Sequence, residues 1–165
     1  MPRRAGIGSH QSAAMLSDEW ITPKWILDAL GPFDLDPCCA PTMPWPTAAR
    51  LYTRTDNGLL HPWTGRVWLN PPYSRNVGKW LGALAKHGTG TALVFARTET
   101  TWFHAEIWRR ASSVLFLQGR LHFCYIDGRE AKTNAGAPSV LVAYGAADAR
   151  VLEECTIPGQ ALRLR

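Results

Sequence analysis

Two consecutive prolines close the apolar run in "RVWLNPPYSRN" (residues 66–76), and no other feature restricts the fold of this chain more. Proline has no backbone N–H and fixes its own φ, so a strand over 66–70 must stop at Asn70. Each proline also pushes the residue before it toward extended geometry, so Pro71 restrains Asn70 and Pro72 restrains Pro71. The product is a stiff segment in which the Asn70 side-chain oxygen and the Pro71 carbonyl can both face a ligand. Two adjacent acceptors suit a group bearing two N–H bonds, and Tyr73 adds an aromatic face. A plain proline-rich turn after an edge strand is the alternative for such a stretch.

The rest of the chain reads as strands and helices in alternation. Thr22-Pro23 looks like a helix start, with threonine as N-cap and proline in the first turn. Trp25, Ile26, Ala29 and Leu30 give that helix an apolar face, and Gly31-Pro32 ends it. "FDLD" (33–36) is a short strand running into Pro37, and the prolines of 38–56 argue for a loop. Val77, Trp80, Leu81 and Leu84 share one helical face, with Gly88 as a C-terminal cap. "TALVFA" (91–96) predicts a strand and 99–110 a helix, while 112–119, 121–126 and 139–144 read as strands. The loop 127–138 is polar and expected to be flexible. Early strand–helix–strand alternation and a late cluster of strands predict an α/β domain, its sheet mostly parallel with an antiparallel edge hairpin. Such sheets hold ligands at the carboxyl ends of their strands, where Asp36-Pro37 and Asn70-Pro71 both fall.

Composition narrows the function classes. The 165 residues suffice for one domain, and 46% hydrophobic with 19% charged residues argues against disorder. No apolar stretch reaches the roughly 18 residues of a membrane span, and the basic start lacks the continuous apolar segment of a secretory signal. A cytoplasmic address follows as the expectation. Residues 1–17 read as a flexible tail before a domain of 18–165. The net charge of +5 fits a polyanionic partner such as nucleic acid, although its basic residues are scattered and solvation explains each small group. Cys38, Cys39, Cys124 and Cys155 form no C-x-x-C and pair with no histidine in a zinc-like pattern, so they read as reduced thiols and no metal is expected. Of the eight tryptophans, one or two are expected in a groove and the rest in the core.

An exocyclic amine such as that of adenine carries two N–H bonds and a lone pair delocalised into the ring. Acceptors placed on both hydrogens favour the tetrahedral geometry that frees the lone pair. Tyr73 can stack on a base swung out of a duplex, a contact worth about 1–3 kcal/mol.

"NPPY" is the signature of amino-group methyltransferases that use S-adenosylmethionine. "EWITPKWILDAL", "FDLDPCCA", "DNGLL…W…NPPYS" and "GRLHF", in this order, resemble the phage-type DNA N-6-adenine methyltransferases, from about Glu19 to Tyr144. The resemblance implies a Rossmann-like methyltransferase fold and methylation of adenine in DNA inside a bacterial host cell. The enzyme is expected to act as a monomer, with S-adenosylmethionine as cofactor and no membrane or metal. It assigns catalysis to Asn70, Pro71, Pro72 and Tyr73. Thr22, between Trp20 and Pro23, resembles the "TP" element near the methionine end of the cofactor. Asp36-Pro37 resembles the acidic-proline start of the cofactor loop, where a carboxylate accepts from the methionine amino group. Asp56 resembles the acid that accepts from the cofactor's adenine amine.

Arg97 and Arg120 are candidate DNA contacts, with surface solvation as the alternative. Apart from the resemblance, Thr22 reads sooner as a helix cap, and Asp36 and Asp56 as ordinary strand-end and turn acids. One departure is that Cys38-Cys39-Ala40-Pro41 stands where many relatives carry glycines, and no acid between Asp36 and Asp56 is available for the cofactor ribose. The motif also serves RNA bases and glutamine amides, and a nucleic-acid-binding relative without catalysis is a further alternative.

Overall fold

The computed structural model describes residues 20–73 and 75–165; the tail expected over 1–17 lies outside them. Seven strands form one sheet: β1 (Leu35–Asp36), β2 (Arg50–Leu51), β3 (Val67–Leu69), β4 (Gly90–Phe95), β5 (Ser113–Leu117), β6 (Ser139–Tyr144) and β7 (Gly159–Arg163). Their spatial order is β2-β1-β3-β4-β6-β5-β7. β2, β1, β3 and β4 pair in parallel, and β6, β5 and β7 continue the sheet from β4 in antiparallel. The domain is α/β as expected, but the sheet is mixed rather than mostly parallel. The antiparallel part is a three-stranded block, not an edge hairpin.

Strand alternation sends neighbouring residues to opposite faces. Val67 and Leu69 pack with Val77, Leu81 and Leu84 of helix α2 (Val77–His87), whose four predicted face residues are all buried. Between them, Trp68 turns to the other face and joins Ile26 and Leu30 of α1 (Lys24–Leu30) and Ala149 and Leu152 of α3 (Ala146–Glu154). The sheet is thus covered on both sides. Gly88 ends α2 in the left-handed conformation at φ 83°, as its position predicts. A π-helical turn (Phe103–Trp108) occupies the segment read as a helix over 99–110. The Tyr144 hydroxyl donates to the Glu106 carbonyl at 2.7 Å within that turn.

Three local expectations change. The first helix starts at Lys24 with Pro23 as N-cap and no side-chain cap, so Thr22 is not a cap. Trp25, placed on the apolar face by periodicity, is 47% exposed, and Leu27 is buried instead. Residues 121–126 form no strand: both edges of β6 are taken by β4 and β5. Leu121 and Phe123 are nonetheless buried, and Cys124 makes only isolated bridges to Ile21 and Glu130. The loop after it carries three buried alanines, Ala131, Ala135 and Ala137.

Candidate active site

β1, β3 and β4 run parallel, so their carboxyl ends share one edge of the sheet. Asp36, Asn70 and Phe95 stand at those ends. A cleft of about 650 Å³ opens there, lined by Trp20, Thr22, Asp36, Pro37, Asn70, Pro71, Pro72 and Tyr73 among others. Most of the predicted site residues meet in this one place. Trp68 and Trp80 also line it.

The Asn70 carboxamide is oriented by its surroundings. Its Nδ2 donates to the Trp20 carbonyl at 3.4 Å and to Thr22 Oγ1 at 3.3 Å. Its Oδ1 is buried with no hydrogen-bond partner among the described residues. Leaving such an acceptor unsatisfied costs about 1–3 kcal/mol. The Asn70 main-chain carbonyl accepts from the Cys38 thiol at 3.4 Å.

Asp36 is 3% exposed and accepts from the Cys38 amide at 3.0 Å and from the Thr47 hydroxyl. Burial raises its pKa to about 6, with the Thr47 and Cys38 hydrogen bonds pulling the other way. Burial, with the Asp36 charge nearby, pushes the Cys38 thiol well above its ordinary value. The same causes lift Cys39 to about 12, so neither thiol is primed as a nucleophile.

Tyr73 lies flat on Phe95, with ring centroids 4.0 Å apart and planes 8° from parallel. Phe123 meets it edge-on at 6.5 Å. One face of Tyr73 is therefore already covered, and its buried hydroxyl has no partner among the described residues. Phe123 belongs to "GRLHF", and no motif or spacing marks a role for its ring.

The other candidates stand apart. Asp56 is exposed and does not line the cleft; its Oδ2 accepts from the Thr53 amide at 2.7 Å and hydroxyl at 2.9 Å, which lowers its pKa. Its neighbours Thr53, Arg54, Asn57 and Gly58 do line the cleft. Pro23 is buried ahead of α1 and outside the lining. Arg97 follows β4 half-buried and Arg120 is exposed, donating to the Ala135 carbonyl at 3.2 Å. Neither arginine lines the cleft. Thr47 and Arg54 are site residues that sequence reasoning missed: both sit in irregular segments, where no period or motif marks them.

Among the described residues no group of three or more His, Cys, Asp or Glu is placed to hold a metal ion. No helix among them is long and apolar enough to cross a membrane. The four cysteines are unbridged.

The α/β domain thus opens a cleft at its parallel strand ends, where the Asn70 carboxamide oxygen has no partner among the described residues. The family model of the DNA N-6-adenine-methyltransferases (Dam) matches residues 9–153, and the chain belongs to that family. No curated protein and no solved structure matches the chain.

Proposed function

We propose that the protein transfers the methyl group of S-adenosylmethionine to the exocyclic amine of adenine in DNA. The observation that carries this reading is the Asn70 carboxamide, whose nitrogen is committed to protein oxygens while its buried oxygen is left without a partner. An acceptor held in this way suits an N–H donor from outside, and family membership names adenine.

The residues of the cleft fit the cofactor. Its volume of about 650 Å³ accommodates a nucleoside with an amino-acid tail, and the Asp36 carboxylate suits the cationic end. S-adenosylmethionine supplies an electrophilic methyl group on a sulfonium. Asp36 and Pro37, beside Trp20, would hold the methionine end. Asp56 stands outside the lining, but its loop carries Thr53, Arg54 and Asn57 into it; Asp56 is assigned the adenine amine, and Thr53 and Asn57 would offer polar groups to the ribose.

Asn70 Oδ1 and the Pro71 carbonyl hold the two hydrogens of the target amine, and Pro72 keeps that pair of acceptors stiff. Holding both hydrogens turns the nitrogen lone pair out of the ring plane toward the methyl donor. The methylated nitrogen is acidic and gives its proton to solvent, so no separate base is required. Tyr73, backed by Phe95, offers its remaining face to the flipped base, with Phe123 at the edge. Arg97 and Arg120 are assigned to DNA phosphates.

Labelled cofactor incubated separately with DNA, RNA and protein tests the acceptor class. Label is expected in DNA alone. Label confined to RNA or to protein would overturn the assignment.

A further inference from the structure

We infer that Thr22 is a positioning residue for the catalytic amide rather than a cofactor ligand. This rests on the methyl-transfer reading of the cleft. A carboxamide can present either its oxygen or its nitrogen to a ligand, and only the oxygen can accept from an amine. The choice is made by what faces the other end of the group. At Asn70 that end meets the Trp20 carbonyl at 3.4 Å, which can only accept and so selects the nitrogen, and Thr22 Oγ1 at 3.3 Å, which anchors the same nitrogen from a second side. Turning the amide over would set its oxygen against the Trp20 carbonyl and aim an NH2 at the target amine, donor against donor.

The two oxygens are themselves fixed. Ile21 pairs with Cys124, its amide donating to the Cys124 carbonyl at 3.0 Å and its carbonyl accepting from the Cys124 amide at 2.9 Å. The Trp45 indole N–H donates to the Thr22 carbonyl at 3.1 Å, and Thr22 is 2% exposed. Segment 20–22 is therefore clamped from two sides and serves as a template for one orientation of Asn70. The hydroxyl that the "TP" pattern directs at the cofactor is engaged with Asn70 instead.

Thr22→Val removes the hydroxyl at nearly constant shape, and Thr22→Ser keeps it. Single-turnover methylation of adenine-containing DNA at saturating S-adenosylmethionine, cofactor affinity by calorimetry, and melting temperature are read on each variant. The expected result is a rate about tenfold lower for Thr22→Val, the scale of one lost hydrogen bond. Cofactor affinity should stay within about twofold, and Thr22→Ser should recover most of the rate. Should the valine variant fail to fold, Thr22→Ala is judged by the same criteria. An undiminished rate in Thr22→Val overturns the inference. So does a serine variant as slow as the valine one, or weakened cofactor binding with a normal rate at saturation. A wild-type protein inactive on DNA would instead sink the methyl-transfer reading itself, so the two failures are distinguishable.

Discussion

A buried carboxyl that titrates near neutrality makes Asp36 the residue whose behaviour is easiest to read. Its pKa is raised from 3.8 to about 6 by burial. Between those values the native protein holds a proton that the unfolded chain has released, so native stability falls as pH rises through this window. The loss amounts to about 3 kcal/mol once the group is fully ionised. A cation bound beside Asp36 offsets that cost and favours the carboxylate. We therefore expect S-adenosylmethionine affinity to fall about tenfold per pH unit below pH 6 and to level off above it, as measured by calorimetry from pH 5 to 8. Asp36→Asn should flatten the profile and weaken binding at pH 7.5. At Asn70 the residue type and its strand-end place were legible, because two prolines leave a strand no other course. The partners that orient it were not, since a main-chain carbonyl fifty residues away in the sequence leaves no mark in composition or spacing.

Two segments that line the cleft, at Pro37 and Gly58, meet backbone to backbone. A Cβ added to Gly58 would lie 1.9 Å from the Pro37 carbonyl oxygen, so only glycine lets the loop after Asp56 close on the acidic-proline step. Asn57 before it sits in the left-handed region at φ 53°, and the Trp63 indole holds the Gly58 carbonyl at 2.8 Å. Gly58→Ala should cost about 1–3 kcal/mol of stability in urea titration, in the range of overpacked sites. Cofactor affinity should fall at least tenfold. The family resemblance includes this glycine within "DNGLL", while the contact that demands it appears only in three dimensions. Elements with a strong period, α2 above all, were readable from sequence. β7 was not, because Gly159–Arg163 is an edge strand without buried alternation. β2 has only two residues, both exposed. The apolar alternation at Leu121 and Phe123 was real but signalled burial, not pairing.

Across the whole molecule, an ion pair between half-buried Arg66 and buried Asp148 ties the layers together. Arg66, just before β3, donates through Nε to Asp148 of α3 at 2.8 Å, and Thr91 of β4 donates to the same oxygen at 3.0 Å. Arg66 also donates to the Leu30 carbonyl at the end of α1 at 2.8 Å and lies 4.2 Å over the Phe33 ring. Removing one partner of such a pair strands a charge, so Asp148→Ala should cost about 3–5 kcal/mol, read from the urea midpoint. Asn70→Ala should lower that midpoint much less, by about 1 kcal/mol, because it removes only the two long hydrogen bonds of Nδ2 while Oδ1 has no protein partner among the described residues. That contrast separates the frame from the chemistry it supports. Nucleoside analysis of DNA incubated with S-adenosylmethionine and either wild-type protein or folded Asn70→Ala tests whether Asn70 presents an acceptor for the adenine amine. N6-methyladenine is expected with the wild type and none above background with the variant. Equal N6-methyladenine from both, or a methylated base other than adenine from the wild type, would contradict that role.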